Sequence, residues 1–323
     1  MARTRLYRGG VLEAEGFPLA QVSGHLRDPS AVVWVDVCQP DRAELETIAD
    51  ELQLHALALE DAGAEHQRPK LDRYPTHLFL TGYTVCLDTV TGRLAATEVN
   101  AFITRHALVT VRESPDVDIE DVVARWDASP DLVKHGTAFL LYGLLDSIVD
   151  SHFAAVQALD DEIEGLEDML FDEAARSTEV QRRSFQLRKS LVLLRREVLP
   201  MREVVNALMR RDLHVVDDAM VPYYQDVYDH VQRATEWTES LRDLVTTILE
   251  TNLTIQGNRL NSIMKKVTSW AAIIAVPTAV TGFYGQNVPY PGFEHVSGFW
   301  ASTILIAVLS GLLYAVFRRK DWI

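Results

Sequence analysis

Two apolar runs near the end of the chain, Val267–Tyr284 and Phe299–Phe317, constrain its fold more than anything that precedes them. The second holds 19 residues without a charged side chain, enough for a helix to cross about 30 Å of hydrocarbon. The first is also uncharged, but it carries Thr268, Ser269, Thr278 and Thr281. Hydroxyls kept along a span imply a neighbour other than lipid on one side. Only the short segment Gly285–Gly298 separates the two runs. A membrane hairpin is expected, with a small face on one side of the bilayer and a large one on the other.

The basic residues orient that hairpin. Arg259, Lys265 and Lys266 precede the first run, and Arg318, Arg319 and Lys320 follow the second, whereas the loop has neither Lys nor Arg. The positive-inside rule then places both termini in the cytoplasm. The expected location is the plasma membrane, the inner one where a cell has two. Trp270, Tyr284, Tyr290, Trp300 and Trp322 lie near the span ends, as interfacial anchors would. No apolar stretch follows Met1-Ala2-Arg3-Thr4-Arg5, so no secretory signal is expected.

The formal net charge is −15. Such an acidic chain argues against nucleic acid and against adhesion to anionic lipid, and it is compatible with attracting cations. Cys38 and Cys86 sit in apolar, strand-like runs and read as buried reduced thiols, with no Cys/His spacing for zinc. His55, His66 and His77 read as ordinary surface or core residues.

Residues 1–130 read as a mixed α/β cytoplasmic domain. Ala31–Val37, His77–Leu87, Glu98–Thr104 and Ala107–Arg112 are expected strands of an antiparallel meander. Asp41–Leu54 and Ser114–Trp126 are expected helices, each opened by a capping residue. There is no glycine-rich phosphate loop, no nucleophile elbow and no nucleophile–base constellation, so no covalent chemistry is expected. Residues 131–221 read as an antiparallel helical pair. Its first helix carries Leu141, Leu144, Leu145, Ile148 and Val149 at helical spacing, and a face with Asp160, Asp161, Glu162, Glu164, Glu167 and Asp168. That face reads as solvated. The second, about Thr178–Arg211, is basic, with a kink expected at Pro200.

Residues 222–266 read as a stalk. Pro222 suits a first helical turn, and no proline follows until Pro277. Val227, Val231, Ala234, Thr238, Leu241, Val245, Ile248, Asn252 and Ile255 recur at steps of three and four, a heptad seam with polar interruptions. The periodicity continues into the first span, residues 267–284, so one helix of ~95 Å is expected at 1.5 Å per residue. Continuing the step gives Asn261, Met264, Thr268, Ala271, Ala275, Thr278 and Gly282. One face is therefore small or polar, with Met264 its single bulky apolar member. Close packing of small residues is one explanation. A water-filled path lined by one such helix from each of several subunits is the other, since two spans cannot enclose a pore. The loop, residues 285–298, opens with Gly285-Gln286-Asn287. A ring of amides there suits Mg²⁺ held through its water shell. A ring of carboxylates would hold the ion too tightly for conduction. The second span, residues 299–317, and a cytoplasmic tail, 318–323, complete the chain.

At His66-Gln67-Arg68-Pro69-Lys70, in the long helix, in the two spans and at Pro277-Thr278…Thr281-Gly282-Phe283-Tyr284-Gly285-Gln286-Asn287, the chain resembles the CorA family of divalent-cation channels. The family's signature is Gly-Met-Asn after an aromatic residue; here Gln286 takes the middle place. The resemblance implies a homopentameric funnel embedded in lipid, lined by the first span, with Thr278 in the pore and Asn261 at its inner mouth. It implies influx of Mg²⁺, with Co²⁺ or Ni²⁺ as further ions, driven by the membrane potential. It also implies regulation by cytoplasmic Mg²⁺. The stalk carries Asp226, Asp229, Glu236, Glu239, Asp243 and Glu250 against Arg233 and Arg242. Five such stalks repel one another, and Mg²⁺ between them would hold the bundle closed. Glu250 is the stalk carboxylate this reading selects, with Asp88 its partner on the α/β domain. The departure at Gln286 keeps a zinc transporter of the same architecture as the alternative. A membrane-anchored structural or signalling protein, its heptads a docking coil, is the reading from a different class.

Overall fold

The computed structural model describes residues 2–64, 67–171, 177–210, 213, 215–286, 289–290 and 292–323. They form two compact units, Met1–Ile248 and Leu249–Ile323.

The first unit opens with strands β1 (Arg3–Arg8) and β2 (Val11–Glu15), a 3-10 turn (Leu19–Gln21) and the one-turn helix α1 (Val22–His25). Strand β3 (Ala31–Cys38), helices α2 (Arg42–Leu52) and α3 (Ala56–Ala62), and strands β4 (Lys70–Arg73), β5 (Leu78–Asp88), β6 (Arg93–Ile103) and β7 (Ala107–Arg112) follow. Among the described residues the strands make one seven-stranded sheet in the order β2-β1-β3-β7-β6-β5-β4. The antiparallel meander holds for β5–β6–β7, from Asp88↔Arg93 at the first turn to Ile103↔Leu108 at the second. It does not extend to β3, which runs parallel to β7 with Val33 opposite Ala107. β3 leaves the sheet through α2 and α3, and a long crossover permits parallel return. Both strands are almost wholly buried, as strands covered on both faces are.

Local chemistry sets the boundaries. The Asp41 carboxylate accepts from the Glu44 N–H while Glu44 reaches back to the Asp41 N–H, a capping box that starts α2. α4 (Ile119–Ala128) starts later than its sequence suggests. The Ser114 hydroxyl binds Asp116 in a local turn, and Asp118 supplies the cap through the Asp121 N–H. β6 begins at Arg93, ahead of the expected Glu98, because Leu94 and Ala95 still pair with Leu87 and Cys86. Strands β1, β2 and β4 were not expected. β1 is disguised by Arg3 and Arg5; Arg5 is buried because its guanidinium grips both oxygens of Asp127 at 2.9 and 3.0 Å. Cys86 corrects an expectation. It is exposed, and Cys38 is half-buried, because the last residues of β5 run past the core and alternate toward solvent.

After α5 (Pro130–Val133) come α6 (Thr137–Phe171) and α7 (Ser177–Leu208), which continues unbroken past Pro200. By length and apolarity α6 would pass for a membrane span, yet most of it is buried within the first unit. Trp126 stands edge-on to Trp34 with centroids 4.9 Å apart and rests against Gly143 of α6, where any Cβ would overlap the indole Nε1. α8 (Val221–Tyr284) is one helix of 64 residues. Along its first part the heptad residues Val227, Val231, Ala234, Thr238, Leu241, Val245 and Ile248 are buried. Tyr224 donates its hydroxyl to the Ala138 carbonyl of α6 at 2.8 Å. Phe153 of α6 meets Trp237 at 5.5 Å, and Arg195 of α7 pairs with Glu239 at 3.4 Å. Through Ile248 the seam is thus consumed within its own chain and is not a free docking coil, whereas its last member, Ile255, is exposed.

The second unit contains the last part of α8 and, after the loop, α9 (Val296–Arg319), which extends beyond the expected second span at both ends. The fold class stands: a mixed α/β domain, a long helical stalk and two C-terminal apolar helices.

Candidate functional site

The site is built on the last part of α8. At 3.6 residues per turn its side chains sort onto three faces. Ser269, Ala272, Ile273, Val276, Pro277, Val280 and Tyr284 lose solvent within the single chain. Ile263, Val267, Trp270 and Ile274 form a bulky apolar face that stays exposed, Ile274 at 64%. The third face is the small and polar stripe. Asn261, Met264, Thr268, Ala271, Ala275, Thr278 and Gly282 are all exposed. On a helical wheel the stripe lies about 150° from the covered face. Packing within one chain therefore does not explain the stripe, and a lipid-facing surface would be expected to resemble the bulky face instead.

The hydroxyls on this helix are oriented. Thr278 donates to the Ile274 carbonyl at 3.1 Å, which leaves its oxygen lone pairs for the stripe. Thr281 donates to the Pro277 and Thr278 carbonyls at 2.8 and 3.2 Å, beside the proline that has no N–H to offer the helix. A Cβ at Gly282 would meet nothing within 4 Å, so its small size is not required by its own chain.

The helix ends where the loop begins. Gly285 donates to the Thr281 carbonyl at 2.8 Å and Gln286 to the Phe283 carbonyl at 3.3 Å. A side chain at Gly285 would press on the Thr281 carbonyl at 3.0 Å. Gly285 and Gln286 are exposed, and Asn287 lies outside the described residues, as does His66. Tyr290 stands edge-on to Tyr284 at 4.9 Å and to Phe293 at 5.3 Å. Gly292, at φ 92°, sits against Gly298, where any Cβ would overlap the Gly292 carbonyl oxygen. This close approach returns the chain into α9.

The two carboxylates singled out for regulation lie in different units. Asp88 is exposed in the β5–β6 turn. Its carboxylate accepts from the Thr91 hydroxyl and from the Val90 and Thr91 amides, which hold it below the usual carboxylate range. Glu250 is exposed on α8. Among the described residues, no three His, Cys, Asp or Glu side chains converge to hold a metal within one chain. A charged cluster that sequence spacing does not reveal lies between α4 and α6. There Arg125 bridges Asp121, Asp146 and Asp150 at 2.9, 2.7 and 2.8 Å. Burial and the Asp150 charge push the Asp146 carboxyl up, and the tethered guanidinium offsets that cost. Its members are separated along the chain, so only the packing of α4 on α6 brings them together.

The three faces give a direct test. Cysteines at Thr278 and Gly282 should react with a small water-soluble thiol reagent about tenfold faster or more than cysteines at covered Val280 or at apolar Ile274, a factor corresponding to ~1.4 kcal/mol of barrier. The thiolate is the reactive form and needs water to exist. Equal rates on all faces would mean that the stripe is a packing surface.

The family described as CorA-like Mg²⁺ transporter protein matches residues 29–319 of the chain. The chain is similar to the cobalt/magnesium transport protein CorA of Thermotoga maritima, with 29% identity over 300 residues covering 92% of this chain and 85% of the relative. It is 30% identical to the putative metal ion transporter YfjQ of Bacillus subtilis over 291 residues, 90% of this chain and 89% of that one. Its fold matches the complete structure of the CorA magnesium transporter from Methanocaldococcus jannaschii with a TM-score of 0.78 at 23% identity, covering 100% of this chain and 99% of that chain.

Proposed function

Because the chain belongs to the CorA-like Mg²⁺ transporter family, we propose that it is an Mg²⁺ influx channel whose pore is walled by copies of α8. It is a membrane protein for divalent-cation transport and not an enzyme. The uncovered stripe from Asn261 to Gly282 carries the reading. One chain has two spans and cannot surround a path for ions, so the stripe finds its partners in other copies. Five copies form the ring in this proposal, with the α/β units as its cytoplasmic funnel and both termini in the cytoplasm.

The ion enters at the Gly285-Gln286-Asn287 loop, with the amide of Asn287 contacting its water shell. Mg²⁺ sheds water reluctantly, so an outer-shell contact recognises it without trapping it. It then passes Gly282, Thr278, Ala275, Ala271, Thr268, Met264 and Asn261. The membrane potential drives it, at ~4.6 kcal/mol per divalent ion for each 100 mV. Co²⁺ and Ni²⁺ share its charge and follow the same path. Zinc is the second reading, but a zinc path favours His or Cys ligands, and the stripe has neither.

Cytoplasmic Mg²⁺ closes the channel in this scheme. The stalk carboxylates Asp226, Asp229, Glu236, Glu239, Asp243 and Glu250 repel their counterparts on neighbouring stalks, and the ion offsets that repulsion. The regulatory ion in this proposal bridges neighbouring copies, with Glu250 and Asp88 among its ligands.

Flux into proteoliposomes tests both parts. Mg²⁺ should enter faster than Zn²⁺ under an inside-negative potential. Mg²⁺ on the cytoplasmic face should slow that entry, and Glu250→Gln should weaken the block. Faster Zn²⁺ entry would select the zinc reading. A block unchanged in Glu250→Gln would remove Glu250 from the sensor.

A further inference from the structure

α7 carries a basic face in a chain whose formal charge is −15. Between residues 180 and 196 the helix holds Arg182, Arg183, Arg188, Lys189, Arg195 and Arg196 and no Asp or Glu. Phe185, Lys189, Val192 and Arg196 follow one another at steps of four, three and four, which sets them on one line of the helix, and all of them are exposed. Phe185 and Val192 are large apolar side chains, 68% and 55% exposed, one heptad apart on that line. Lys189 has no ion-pair partner among the described residues, and Arg196 lies 3.9 Å from the adjacent Glu197.

α8 presents the matching face. Glu236, Ser240, Asp243 and Thr247 recur at the same steps and are exposed; Asp243 touches the adjacent Arg242 at 3.3 Å. α8 runs parallel to α6, from Tyr224 against Ala138 to Trp237 against Phe153, and α7 returns antiparallel to both, with Arg183 on Glu162 at 2.7 Å. Read in opposite directions, the two exposed lines match position for position. Arg196 falls on Glu236, Val192 on Ser240, Lys189 on Asp243 and Phe185 on Thr247. Each cation meets a carboxylate, and each large apolar side chain meets a small hydroxyl residue. The heights match as well. Within one chain Arg195 reaches Glu239, which sets Arg196 level with residue 238, two residues or about 3 Å along the axis from Glu236. In a ring closed by rotation about an axis along the stalks, only faces at equal height can meet.

We propose that the exposed line of α7 docks on the exposed line of α8 in a neighbouring copy of the chain, with Lys189 opposite Asp243 and Val192 opposite Ser240. The inference rests on the reading of the protein as a ring of copies and names the surface that joins them. Every copy offers both faces, so the contact repeats head to tail and closes on itself. Matched steps of three and four let the side chains of two antiparallel helices interlock. Exposed ion pairs by themselves contribute little. Here they fix register, while covering Phe185 and Val192 removes apolar surface from water. The contact offsets part of the repulsion between stalk carboxylates without an ion.

The test is disulfide formation between copies of the full-length protein in membranes. A Cys86→Ser background removes the exposed native thiol. In it, Val192→Cys/Ser240→Cys should give a ladder of cross-linked copies on mild oxidation. The ladder should form at least ~10-fold faster than with Val192→Cys/Asp229→Cys, because a disulfide closes only when Cα atoms come within about 7 Å and residue 229 lies about three turns from 240. Adding Lys189→Glu to the first cysteine pair should slow cross-linking, and adding Lys189→Glu/Asp243→Lys should restore it. All the substituted positions but Cys38, which is left in place, are exposed, so each variant should keep its fold. Equal rates for the two cysteine pairs, cross-linking by Ser240→Cys alone as fast as by the pair, or a charge reversal that is not rescued would each overturn the contact. A wild-type protein that elutes as a single copy would overturn the ring along with it. A wild-type oligomer whose Val192→Cys/Ser240→Cys variant forms no ladder would overturn this contact alone.

Discussion

Asn287→Ala should abolish Mg²⁺ uptake by intact cells while leaving the protein folded and assembled. The proposed entry site offers each ion one amide per subunit, and the substitution removes all of them together. The reason lies in hydration. An entering Mg²⁺ keeps its waters, so only polar groups at the right height can distinguish it from the bulk. An alanine ring offers none. Gln286→Met should be tolerated, because it restores the commoner residue of the signature and leaves Asn287 in place. The readouts are metal content over time and the oligomer's elution volume. Normal uptake through Asn287→Ala would remove the loop from the role of filter. Loss of uptake together with loss of the oligomer would mean that Asn287 acts in assembly.

Acid should destabilise the first unit through His152. This histidine of α6 is fully buried. Its Nε2 donates to the Tyr83 carbonyl at 2.7 Å, and its Nδ1 has no partner. Burial holds its pKa down at about 4, against the small opposing effect of the Tyr83 carbonyl. In the unfolded chain the same group titrates near 6.5. The imidazole is therefore neutral in the fold, and the unfolded chain takes up its proton first as pH falls. The stabilisation is complete above about pH 6.5 and is lost progressively toward pH 4. A shift of that size corresponds to about 3 kcal/mol. His77 and His106, also lowered chiefly by burial, add in the same direction. Asp146, raised by burial, acts oppositely. His152→Gln isolates the effect, since glutamine can still donate to Tyr83 but does not titrate. Unfolding midpoints at pH 7, 5.5 and 4 should fall more steeply for the wild type than for the variant. Parallel curves would mean that His152 titrates alike in the folded and unfolded chain, and the burial argument would fail.

Parts of the candidate site were legible because their causes are local. Asn261, Thr268, Thr278 and Gly282 fall on one line through helical geometry alone, and no neighbour is needed to put them there. The capping box at Asp41 and Glu44 is readable for the same reason. Other features were hidden because their causes lie far along the chain. Arg5 looks like a surface residue until Asp127, 122 positions away, neutralises it inside the sheet. Arg125 gathers Asp146 and Asp150 only because α4 packs on α6.

The sequence by itself determined the two C-terminal apolar helices and the length of the long helix. Hydrocarbon demands length and apolarity whatever surrounds the span, and with no proline from 223 to 276 the ladder of hydrogen bonds in α8 meets its first missing N–H only at Pro277, two turns from its end. Only the tertiary structure decided what each surface faces. α6 is apolar enough for a membrane but lies buried in the first unit, and the heptad seam of α8 from Val227 to Ile248 is spent on its own chain. The stripe, equally periodic, is left uncovered. Periodicity assigns residues to a face through the geometry of one helix, whereas burial depends on what packs against that face, and that is a property of the whole fold.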